Sequence, residues 1–526
     1  MIMMKLRKYS KEITKDCYDV IIIGSGISGL CSAALLAMEG KSVLVLEKHF
    51  KVGGYTHAFT RDDYEWDVGI HYIGAVHKKT FVRRLFDKIT NNNLHWNKMS
   101  DNYDRMIFPD NSYDFIAPKE QFIDTMKSSF PSESRAIDEY VDILDEIKKT
   151  TLKYFSSKAL SGMSELFLYN YLSRSFFKFS DQTTYEVLSK ITSNEKLIGV
   201  LTGQWGDYGL TPRESSFAIH SMIANHYMDG ANYPIGGSKM ISESIIPVIT
   251  ENGGQIFIST GVDKISMKNN RVNGVILENG EKINSEIVIS SAGVENTINK
   301  FLRSDINYEK YKTNLDKVES SGSYICLYVG FNQTAEELGI KDTNLWIYPG
   351  YDHDKNLNDY RNKRTDEFPL LYLSFASSKD PSWQENHPGT ATMEAITFSS
   401  FDSYQKWEEK PWRNRGQDYE NIKEDVSQKI ITMIYKHVPQ LKNKISYHEL
   451  STPLSTKDMA NYKVGELYGI NHTPSRFRQK WLKPKTTIKG LYLTGQDILT
   501  AGLAGALSAG VLTTSVILNK NLFKKI

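Results

Sequence analysis

Two adjacent titratable side chains, His71 and Tyr72, stand in the otherwise apolar stretch YEWDVGIHYIGAV, which covers residues 64–76. Gly69 and Gly74 flank them. An imidazole and a phenol can each hold or transfer a proton, so such a pair predicts acid–base chemistry. A structural role, in which the histidine bonds to a backbone carbonyl and the tyrosine packs in the core, is equally consistent with the pattern.

The elements that must position this pair begin near the N-terminus. Residues 18–23, YDVIII, are a β-branched run typical of a strand buried on both faces, and GSGISGL follows directly. Its glycines form G-x-G-x-x-G, in which the first permits a tight turn, the second admits a pyrophosphate and the third lets helix pack on strand. The phosphates would lie at the helix N-terminus. The residues expected to contact the nucleotide are Gly24, Ser25, Gly26, Ile27 and Gly29.

A second buried strand, SVLVLE, ends on Glu47, whose carboxylate is expected to accept hydrogen bonds from ribose hydroxyls. Its neighbour Lys48 is also predicted to contact the cofactor. Strand, turn, helix, strand and acid follow in the order of one βαβ unit, which is far more specific than the glycines alone. The motif does not by itself separate FAD from NAD.

The stretch EKHFKVGGYTHAF places a glycine pair shortly after this acid and so resembles the extended fingerprint of FAD-dependent amine oxidases and carotene desaturases. In that family the pair lets the backbone pass close to the diphosphate and ribityl chain, because glycine has no Cβ to obstruct them. The resemblance implies FAD as the cofactor, with Gly53, Gly54 and Tyr55 beside it.

A middle block, residues 233–293, predicts a helix, strands at IFIS and KISM, a hairpin centred on Asn269–Asn270 and a buried strand that ends at Ala292. In the family this block returns the chain to the cofactor domain. The resemblance implies that the backbone of Val262 meets the adenine and that Ala292 lies near the cofactor.

The block from Gly490 onward resembles the family's closing motif. Its turn, with Gly495 and Asp497, would face the ribityl or diphosphate region. The helix that starts near Gly502 and Ala504 would direct its amide groups at the pyrimidine carbonyl of the flavin, where reduction places negative charge.

The fold class implied is α/β, a Rossmann-type FAD-binding domain of the glutathione-reductase and amine-oxidase type with an inserted α+β substrate domain of mixed sheet and helices. The FAD-binding domain is predicted to be discontinuous, and the inserts form the substrate domain with its helical lid. The predicted FAD-binding segments are 15–120, 232–300 and 484–526, and the substrate-binding segments are 121–231 and 301–483.

Three stretches narrow the resemblance: DVGIHYIG, residues 209–237 and TGQDILTAGLAGAL are similar to the corresponding stretches of retinol saturases. The chain is identified as a member of the family of retinol saturases and their bacterial relatives, with the carotenoid isomerases next. The resemblance spans most of the chain and is weakest from about 300 to 450.

The family implies hydride transfer between flavin N5 and one carbon of a conjugated double bond, with a proton exchanged at the neighbouring carbon. The substrate would be an apolar polyene such as a retinoid, a carotenoid or an unsaturated lipid. His71 or Tyr72 would lie beside the isoalloxazine as the proton donor or as a group that orients the polyene, whereas His57 and His226 are expected to be structural.

Two other function classes remain open. A desaturase or amine oxidase would run hydride transfer toward the flavin, although no matching aromatic pair is evident near the closing motif. A flavin- or lipid-binding protein without turnover is the third reading. Since no second dinucleotide fingerprint is visible, electrons would come from an external donor such as NAD(P)H, or the reaction would be redox-neutral.

Composition excludes several classes. Lys and Arg number 64 against 62 Asp and Glu, a net charge of +2, so no basic footprint for nucleic acid is evident. The cysteines, Cys17, Cys31 and Cys326, are too scattered for a disulfide framework or a zinc site, and no metal is expected. The pattern is typical of a reducing, cytoplasmic compartment.

Three segments bear on membranes. The basic N-terminus lacks an apolar run and is expected to be a short frayed leader rather than a secretory signal. Residues 498–518 carry no charge, but their glycines favour a helix buried in a soluble domain over a span. Residues 152–179 interleave aromatic and basic side chains, which suits either a helical lid or peripheral contact at the inner face of a membrane.

Overall fold

The computed structural model describes residues 6–303 and 308–526. Its strands, in chain order, are β1 Val20–Ile23, β2 Val43–Leu46, β3 Ala58–Arg61, β4 Tyr64–Asp67, β5 Ile73–Gly74, β6 Trp96–Lys98, β7 Asn102–Ile107, β8 Ser112–Ile116, β9 Ala231–Pro234, β10 Gln255–Phe257, β11 Val262–Lys268, β12 Arg271–Leu277, β13 Lys282–Ile283, β14 Val288–Ser290, β15 Ser323–Phe331, β16 Asn344–Ile347, β17 Leu371–Ser374, β18 Ala391–Ser399, β19 Ile445–Ser451 and β20 Leu491–Leu493.

The α-helices follow the same order. They are α1 Ile27–Met38, α2 Phe81–Ile89, α3 Lys119–Ser129, α4 Ser134–Ser157, α5 Met163–Ser180, α6 Thr184–Ile191, α7 Glu195–Leu201, α8 Phe217–Tyr227, α9 Lys239–Glu251, α10 Val294–Asn296, α11 Tyr308–Leu315, α12 His353–Arg361, α13 Ala376–Lys379, α14 Trp383–Asn386, α15 Gln417–His437, α16 Pro453–Ala460, α17 Pro474–Phe477 and α18 Leu503–Leu518.

A five-stranded sheet in the order β10-β2-β1-β14-β20 forms the first layer, and every neighbouring pair in it is parallel. All residues of β1 and β2 are buried, as expected for β-branched strands covered on both faces. The carboxyl ends of parallel strands meet at one edge, which is where open α/β sheets bind ligands. The predicted α/β fold of Rossmann type is confirmed.

A seven-stranded mixed sheet in the order β19-β15-β18-β17-β16-β7-β8 forms the second large layer. The strands β7 and β8 join it although they lie within the predicted FAD-binding segment 15–120, because β7 pairs in parallel with β16 through Asp104 and Asn344. The strands of the parallel sheet come from all three segments assigned to FAD binding. The division into domains stays a prediction.

The predicted hairpin centred on Asn269–Asn270 joins β11 and β12. Both asparagines have positive φ, 52° and 56°, which is the conformation that a two-residue turn between antiparallel strands requires. Asparagine tolerates this conformation better than most residues.

The frayed leader is a prediction that the structure corrects in part. Residues 1–5 lie outside the described residues, but the chain that follows packs along the edge of the parallel sheet. The backbone amide of Tyr9 donates to Thr260 Oγ1 at 3.2 Å, and Gln255 Nε2 donates to the carbonyl of Ile13 at 2.8 Å. The leader is held because it satisfies polar groups beside the edge strand β10.

Helix α18 occupies most of the uncharged stretch 498–518 and packs on α1. A Cβ at Gly510 would lie 2.7 Å from the carbonyl oxygen of Ser28 and 2.9 Å from Cys31 Cβ. Gly510 thus allows close contact between α18 and α1, rather than the contact with a cofactor that small residues in this stretch suggested. Across the described ranges, no helix combines the length and apolarity needed to cross a bilayer.

We expect Gly510→Ala to destabilise the protein. Its Cβ would overlap the backbone of α1, and overpacking costs about 1–3 kcal/mol, which exceeds the roughly 1 kcal/mol that alanine gains over glycine in a helix. Thermal unfolding of the flavin-free protein should show a lower Tm. Gly350→Ala is the matched control, since its Cβ would meet only Asn356 Oδ1 at 3.5 Å. Equal Tm values for both variants would contradict the close α1–α18 contact.

Candidate functional site

The turn between β1 and α1 forms a backbone cradle. Gly24 has φ +94°, and a Cβ at Gly29 would lie 2.4 Å from the Gly24 carbonyl oxygen, so helix and turn are in direct contact. Gly26 is the N-cap of α1 and makes no side-chain cap hydrogen bond. The first amides of a helix have no intrahelical partner, so those of Ile27 and its neighbours can bind an anion.

The glycine pair lies directly on this cradle. Gly53 forms a bridge with Gly26 and has φ +108°, and its amide donates to the Ser25 carbonyl at 3.1 Å. A Cβ at Gly54 would lie 3.1 Å from Gly26 Cα. The two backbone segments can approach so closely because Gly54 carries no Cβ at this contact.

Glu47 lies at the end of β2, next to the cradle. Its Oε2 accepts from the backbone amide of Ser25 at 2.8 Å, and its Oε1 accepts from the amide of His49 at 2.7 Å. Oε2 also accepts from Ser25 Oγ at 2.6 Å, whereas Oε1 keeps a further lone pair that can accept from a ribose hydroxyl. Lys48 instead reaches the surface, where its Nζ lies 3.1 Å from Glu278 Oε1.

The two distant blocks return to the same edge. A Cβ at Gly24 would meet the amide nitrogen of Ala292 at 3.7 Å, so the ends of β1 and β14 lie side by side. Val262 opens β11 and is buried, shortly after Thr260, whose amide donates to the Glu47 carbonyl at 2.8 Å. The parallel sheet thus gathers residues that are far apart in sequence.

Within the closing block, a Cβ at Gly495 would lie 3.5 Å from Ser28 Oγ on α1. The carboxylate of Asp497 is buried and accepts from the amides of Val294 at 2.8 Å and Ile470 at 2.9 Å. This aspartate therefore clamps β14, the closing turn and the segment before α17. The remaining lone pairs of its two carboxylate oxygens can accept hydrogen bonds from a ligand.

Helix α18 begins at this edge with a second uncapped N-terminus. Gly502 is its N-cap, with φ +83° and no side-chain cap hydrogen bond, and a Cβ built there would meet nothing within 4 Å. Ala504 follows in the first turn. Two uncapped helix N-termini at one sheet edge fit a diphosphate at α1 and the electron-rich edge of a flavin at α18.

A parallel aromatic pair borders the same region. The rings of Tyr55 and Tyr462 have centroids 6.5 Å apart and planes only 7° apart. Tyr462 also lies against the closing block, since its hydroxyl accepts from Gln496 Nε2 at 3.1 Å. The sequence missed this pair because the two rings come from segments about 400 residues apart. The cradle, the helix ends and these rings together fit FAD.

The glycines around His71 and Tyr72 each allow one close contact. A Cβ at Gly69 would lie 2.9 Å from Tyr55 Cβ, and one at Gly74 would lie 1.8 Å from the His226 carbonyl oxygen. Gly69 thus lets the His71–Tyr72 stretch pack against Tyr55, the residue after Gly54. Gly74 lets β5 pack against the end of α8. The histidine–tyrosine stretch is locked between the cofactor cradle and the helical region.

Tyr72 is buried and belongs to a hydrogen-bond network. Its ring stacks on Tyr227 with centroids 4.3 Å apart, and its hydroxyl lies 3.0 Å from Asp104 Oδ2 and 3.2 Å from Asp207 Oδ2. The phenol has only one proton for these two carboxylates, so a proton on one aspartate would relieve the repulsion between them. Burial and the charge of Asp104 raise the pKa of Asp207 well above its ordinary value.

His71 faces a different group. Its side chain is 11% exposed, and its Nδ1 lies 3.9 Å from Oε2 of the fully buried Glu394. Neither atom has a hydrogen-bond partner. Burial lowers the pKa of His71 to about 3, so the imidazole is neutral. Burial and the nearby Asp67 raise the pKa of Glu394 well above its ordinary value.

Lys379, also fully buried, supports this pair from behind. Its ammonium group donates to the His71 carbonyl at 2.9 Å, to Asn344 Oδ1 at 2.5 Å and to Ser374 Oγ at 2.7 Å. Asn344 in turn donates to Asp104 Oδ1 at 2.9 Å. Burial lowers the pKa of Lys379, and the charge of Glu394 opposes that shift.

The sequence analysis missed this buried charge cluster, whose members are Asp67, Asp104, Asp207, Lys379 and Glu394. Glu394 could have been found, because it is a lone acid in the apolar strand ATMEAITF. Asp67, Asp104 and Glu394 act on Lys379, Asp207 adjoins Asp104 across the Tyr72 hydroxyl, and desolvation penalises each charge. Burial raises the pKa of both Asp207 and Glu394 well above the ordinary value, which favours the protonated form of each.

The two other candidate histidines, His57 and His226, bond to the backbone. His57 Nδ1 lies 2.5 Å from the Gly54 carbonyl oxygen, and His226 Nε2 accepts from the Gly74 amide at 2.9 Å. Burial lowers the pKa of both to about 4. Within the described parts of the chain, no group of three or more His, Cys, Asp or Glu side chains could hold a metal ion.

Known proteins that are similar to this chain share its Rossmann-type nucleotide-binding fold. Residues 22–89 match the NAD(P)-binding Rossmann-like domain family. An all-trans-retinol 13,14-reductase of Danio rerio is 34% identical over 96% of this chain and 86% of its own length. A chloroplastic prolycopene isomerase of Daucus carota is 24% identical over 94% of this chain and 79% of its own length.

Among solved structures, cyclohexylamine oxidase from Brevibacterium oxydans IH-35A has a TM-score of 0.60 and 17% sequence identity. The match covers 96% of this chain and 99% of the oxidase, which shows a shared fold. The retinol reductase match, by contrast, is close enough and long enough to show the family. The chain is an oxidoreductase and belongs to the family of the all-trans-retinol 13,14-reductases.

Proposed function

We propose that the protein is an FAD-dependent oxidoreductase that saturates a C=C bond of an apolar conjugated polyene, with the proton supplied by Glu394 through His71. The observation that carries the proposal is the pair of buried, unpartnered atoms, His71 Nδ1 and Glu394 Oε2, at 3.9 Å. This pair adjoins the loop that leads from the glycine pair, so it lies where a reacting carbon could meet both flavin and acid.

The cradle would hold the cofactor. The amides at the start of α1 bind the diphosphate, Glu47 accepts from the ribose, and Gly53 and Gly54 leave room for the ribityl chain. The start of α18 at Gly502 places amides at the pyrimidine edge. FAD supplies hydride transfer at N5.

The proton path starts at the protonated Glu394. Its carboxyl proton passes to His71 Nδ1 while the proton on Nε2 moves to the substrate carbon beside the one that receives hydride. The histidine stays neutral throughout and ends as the other tautomer, with its proton on Nδ1. Glu394 becomes a carboxylate. A separation of 3.9 Å shortens when substrate binds, as catalytic hydrogen bonds commonly do.

Lys379 holds this arrangement without titrating in it. Its hydrogen bond to the His71 carbonyl sets the position of the imidazole, and its charge favours the carboxylate that Glu394 becomes. Tyr72 is a positioning residue here, because its hydroxyl is bound to Asp104 and Asp207 and its ring stacks on Tyr227.

Two relatives set the alternatives for the reaction. The name of the Danio rerio relative describes reduction of a retinol double bond, and that of the Daucus carota relative describes isomerisation of a polyene. Saturation consumes two electrons per turnover and needs an external donor such as NAD(P)H. Isomerisation consumes none, and in that reaction the proton relay would be idle.

An anaerobic assay tests the proposal. The purified yellow protein is reduced with dithionite and mixed with all-trans-retinol, carotenoids and polyunsaturated lipids, and flavin absorbance is followed beside product mass. Flavin reoxidation with a product heavier by two hydrogens is expected. A rearranged product with the flavin still reduced would establish an isomerase, and oxidation of added amines with oxygen uptake would establish an oxidase.

We expect Glu394→Gln to slow saturation by about 10²-fold or more, because general acids contribute 10²–10⁴-fold. Flavin content should not change. Since only protonated Glu394 donates, the wild-type rate should fall as pH rises through its raised pKa, and the variant should lose this limb. The control Glu449→Gln changes an acid paired with Arg61 outside the cluster. An unchanged rate and pH profile would refute the relay.

We expect Gly26→Val to abolish FAD binding while the fold is kept. A Cβ at Gly26 would meet only Ser291 Oγ at 3.7 Å, so the valine side chain would extend into the space that the pyrophosphate needs. The ratio of absorbance at the flavin band to protein should fall about tenfold or more. Gly350→Ala should retain its flavin. A yellow Gly26→Val variant would contradict the cradle.

A further inference from the structure

One face of α5 exposes apolar side chains in an unusual concentration. Among the described residues, six of the ten large apolar side chains that are exposed lie between residues 152 and 171. On α5, Met163 is 76% exposed, Leu166 75%, Phe167 69% and Tyr171 77%. Their spacing of three and four residues places them on one helical face. We call these four residues the apolar face of α5.

This helix is not loosely attached. Its opposite side buries Tyr169, Phe176 and Phe177, and the ring of Phe176 stacks on Tyr154 of α4 at 4.1 Å. The predicted buried aromatic side of a lid is therefore present. The exposed aromatic side that the membrane alternative required is present as well. A firmly packed helix thus holds an apolar face outward.

Exposed cations lie on the same two packed helices, α4 and α5. Lys149, Lys153 and Arg174 are exposed, and within the described ranges none of them forms an ion pair. Lys480 lies 4.6 Å from the centre of the Tyr169 ring and is also unpaired there. The nearby acid Glu165 is neutralised by Lys483 at 2.6 Å. The region therefore has a positive excess beside its apolar face.

A crevice continues this face toward the end of α5. Its volume is ≈ 350 Å³, and its lining residues are Asn170, Ser173, Arg174, Phe177, Lys178, Asp181 and Arg478. Arg478 is bound to Asp181 and Lys178 to Glu146, whereas Arg174 keeps its guanidinium donors. A guanidinium in such a crevice is suited to bidentate contact with a phosphate.

We propose that the apolar face of α5 and its cationic crevice dock on the surface of an anionic phospholipid membrane. The apolar side chains would enter the headgroup and acyl boundary, and Arg174 would bind a lipid phosphate. A second copy of the chain fits less well, because a two-fold contact would bring identical cations together. This docking goes beyond the proposed reaction and does not depend on it.

Sedimentation with vesicles tests the proposal. Wild-type holoenzyme should bind vesicles of phosphatidylcholine with phosphatidylglycerol and bind pure phosphatidylcholine much less. The double variant Leu166→Asp/Phe167→Asp should lower the bound-to-free ratio by about tenfold or more, because it replaces apolar contact by charge. Arg174→Glu should weaken binding only to the anionic vesicles.

Matched controls separate this surface from general effects. Trp412→Asp alters another exposed aromatic residue, 44% exposed, and Lys442→Glu reverses an exposed charge near the edge strand β19. Both should bind vesicles as the wild type does, and all variants should keep their flavin. Absence of wild-type binding, or equal loss in variant and control, would overturn the proposal. A stable dimer that the double variant dissociates, without vesicle binding, would do so too.

Discussion

The structure depends on the close packing of α1 between the turn that precedes it and helix α18. Gly29 lets the helix touch the Gly24 carbonyl, and Gly510 lets α18 touch the carbonyl of Ser28. Any side chain at either glycine would meet backbone, which cannot move aside as a side chain can. The two helix N-termini at the edge of the parallel sheet keep their positions because these contacts are so short.

From this packing the electrostatics of the site follow. The loop after the glycine pair leads to Gly69, which abuts Tyr55, and so brings His71 beside the cofactor cradle. Glu394 of the seven-stranded sheet lies behind His71. Lys379 lies in the chain between strands β17 and β18 of that sheet. A dry region with more acids than bases can hold a carboxylic acid protonated at neutral pH. In the proposed reaction, such a group donates the proton that accompanies hydride transfer.

The proposed polyene substrate and the proposed membrane-docking face of α5 have one physical cause in common. A polyene has little solubility in water, so an enzyme that acts on it gains from contact with the lipid that contains it. The hairpin of α4 and α5 packs its inner aromatic side into the helical region and leaves Phe167 and Tyr171 outside. One helix therefore serves both the core and a surface.

The sequence by itself determined the parallel sheet, the dinucleotide turn and the family. Those features depend on short-range patterns, such as buried β-branched strands and glycines at Gly24, Gly26 and Gly29, whose conformational demands are local. The prominence of His71 was visible in the same way. The frayed leader was wrong for residues 6–17, because its partners lie on β10, which is distant in sequence.

Only the tertiary structure decided what surrounds His71. Glu394 lies on β18, Asp104 on β7 and Lys379 at the end of α13, and their burial and pairing are properties of that assembly. A pKa depends on desolvation and on neighbouring charges, neither of which is encoded in local spacing. The parallel rings of Tyr55 and Tyr462 likewise meet only in the folded chain, because they lie about 400 residues apart and long-range contacts leave no periodic signal in the sequence.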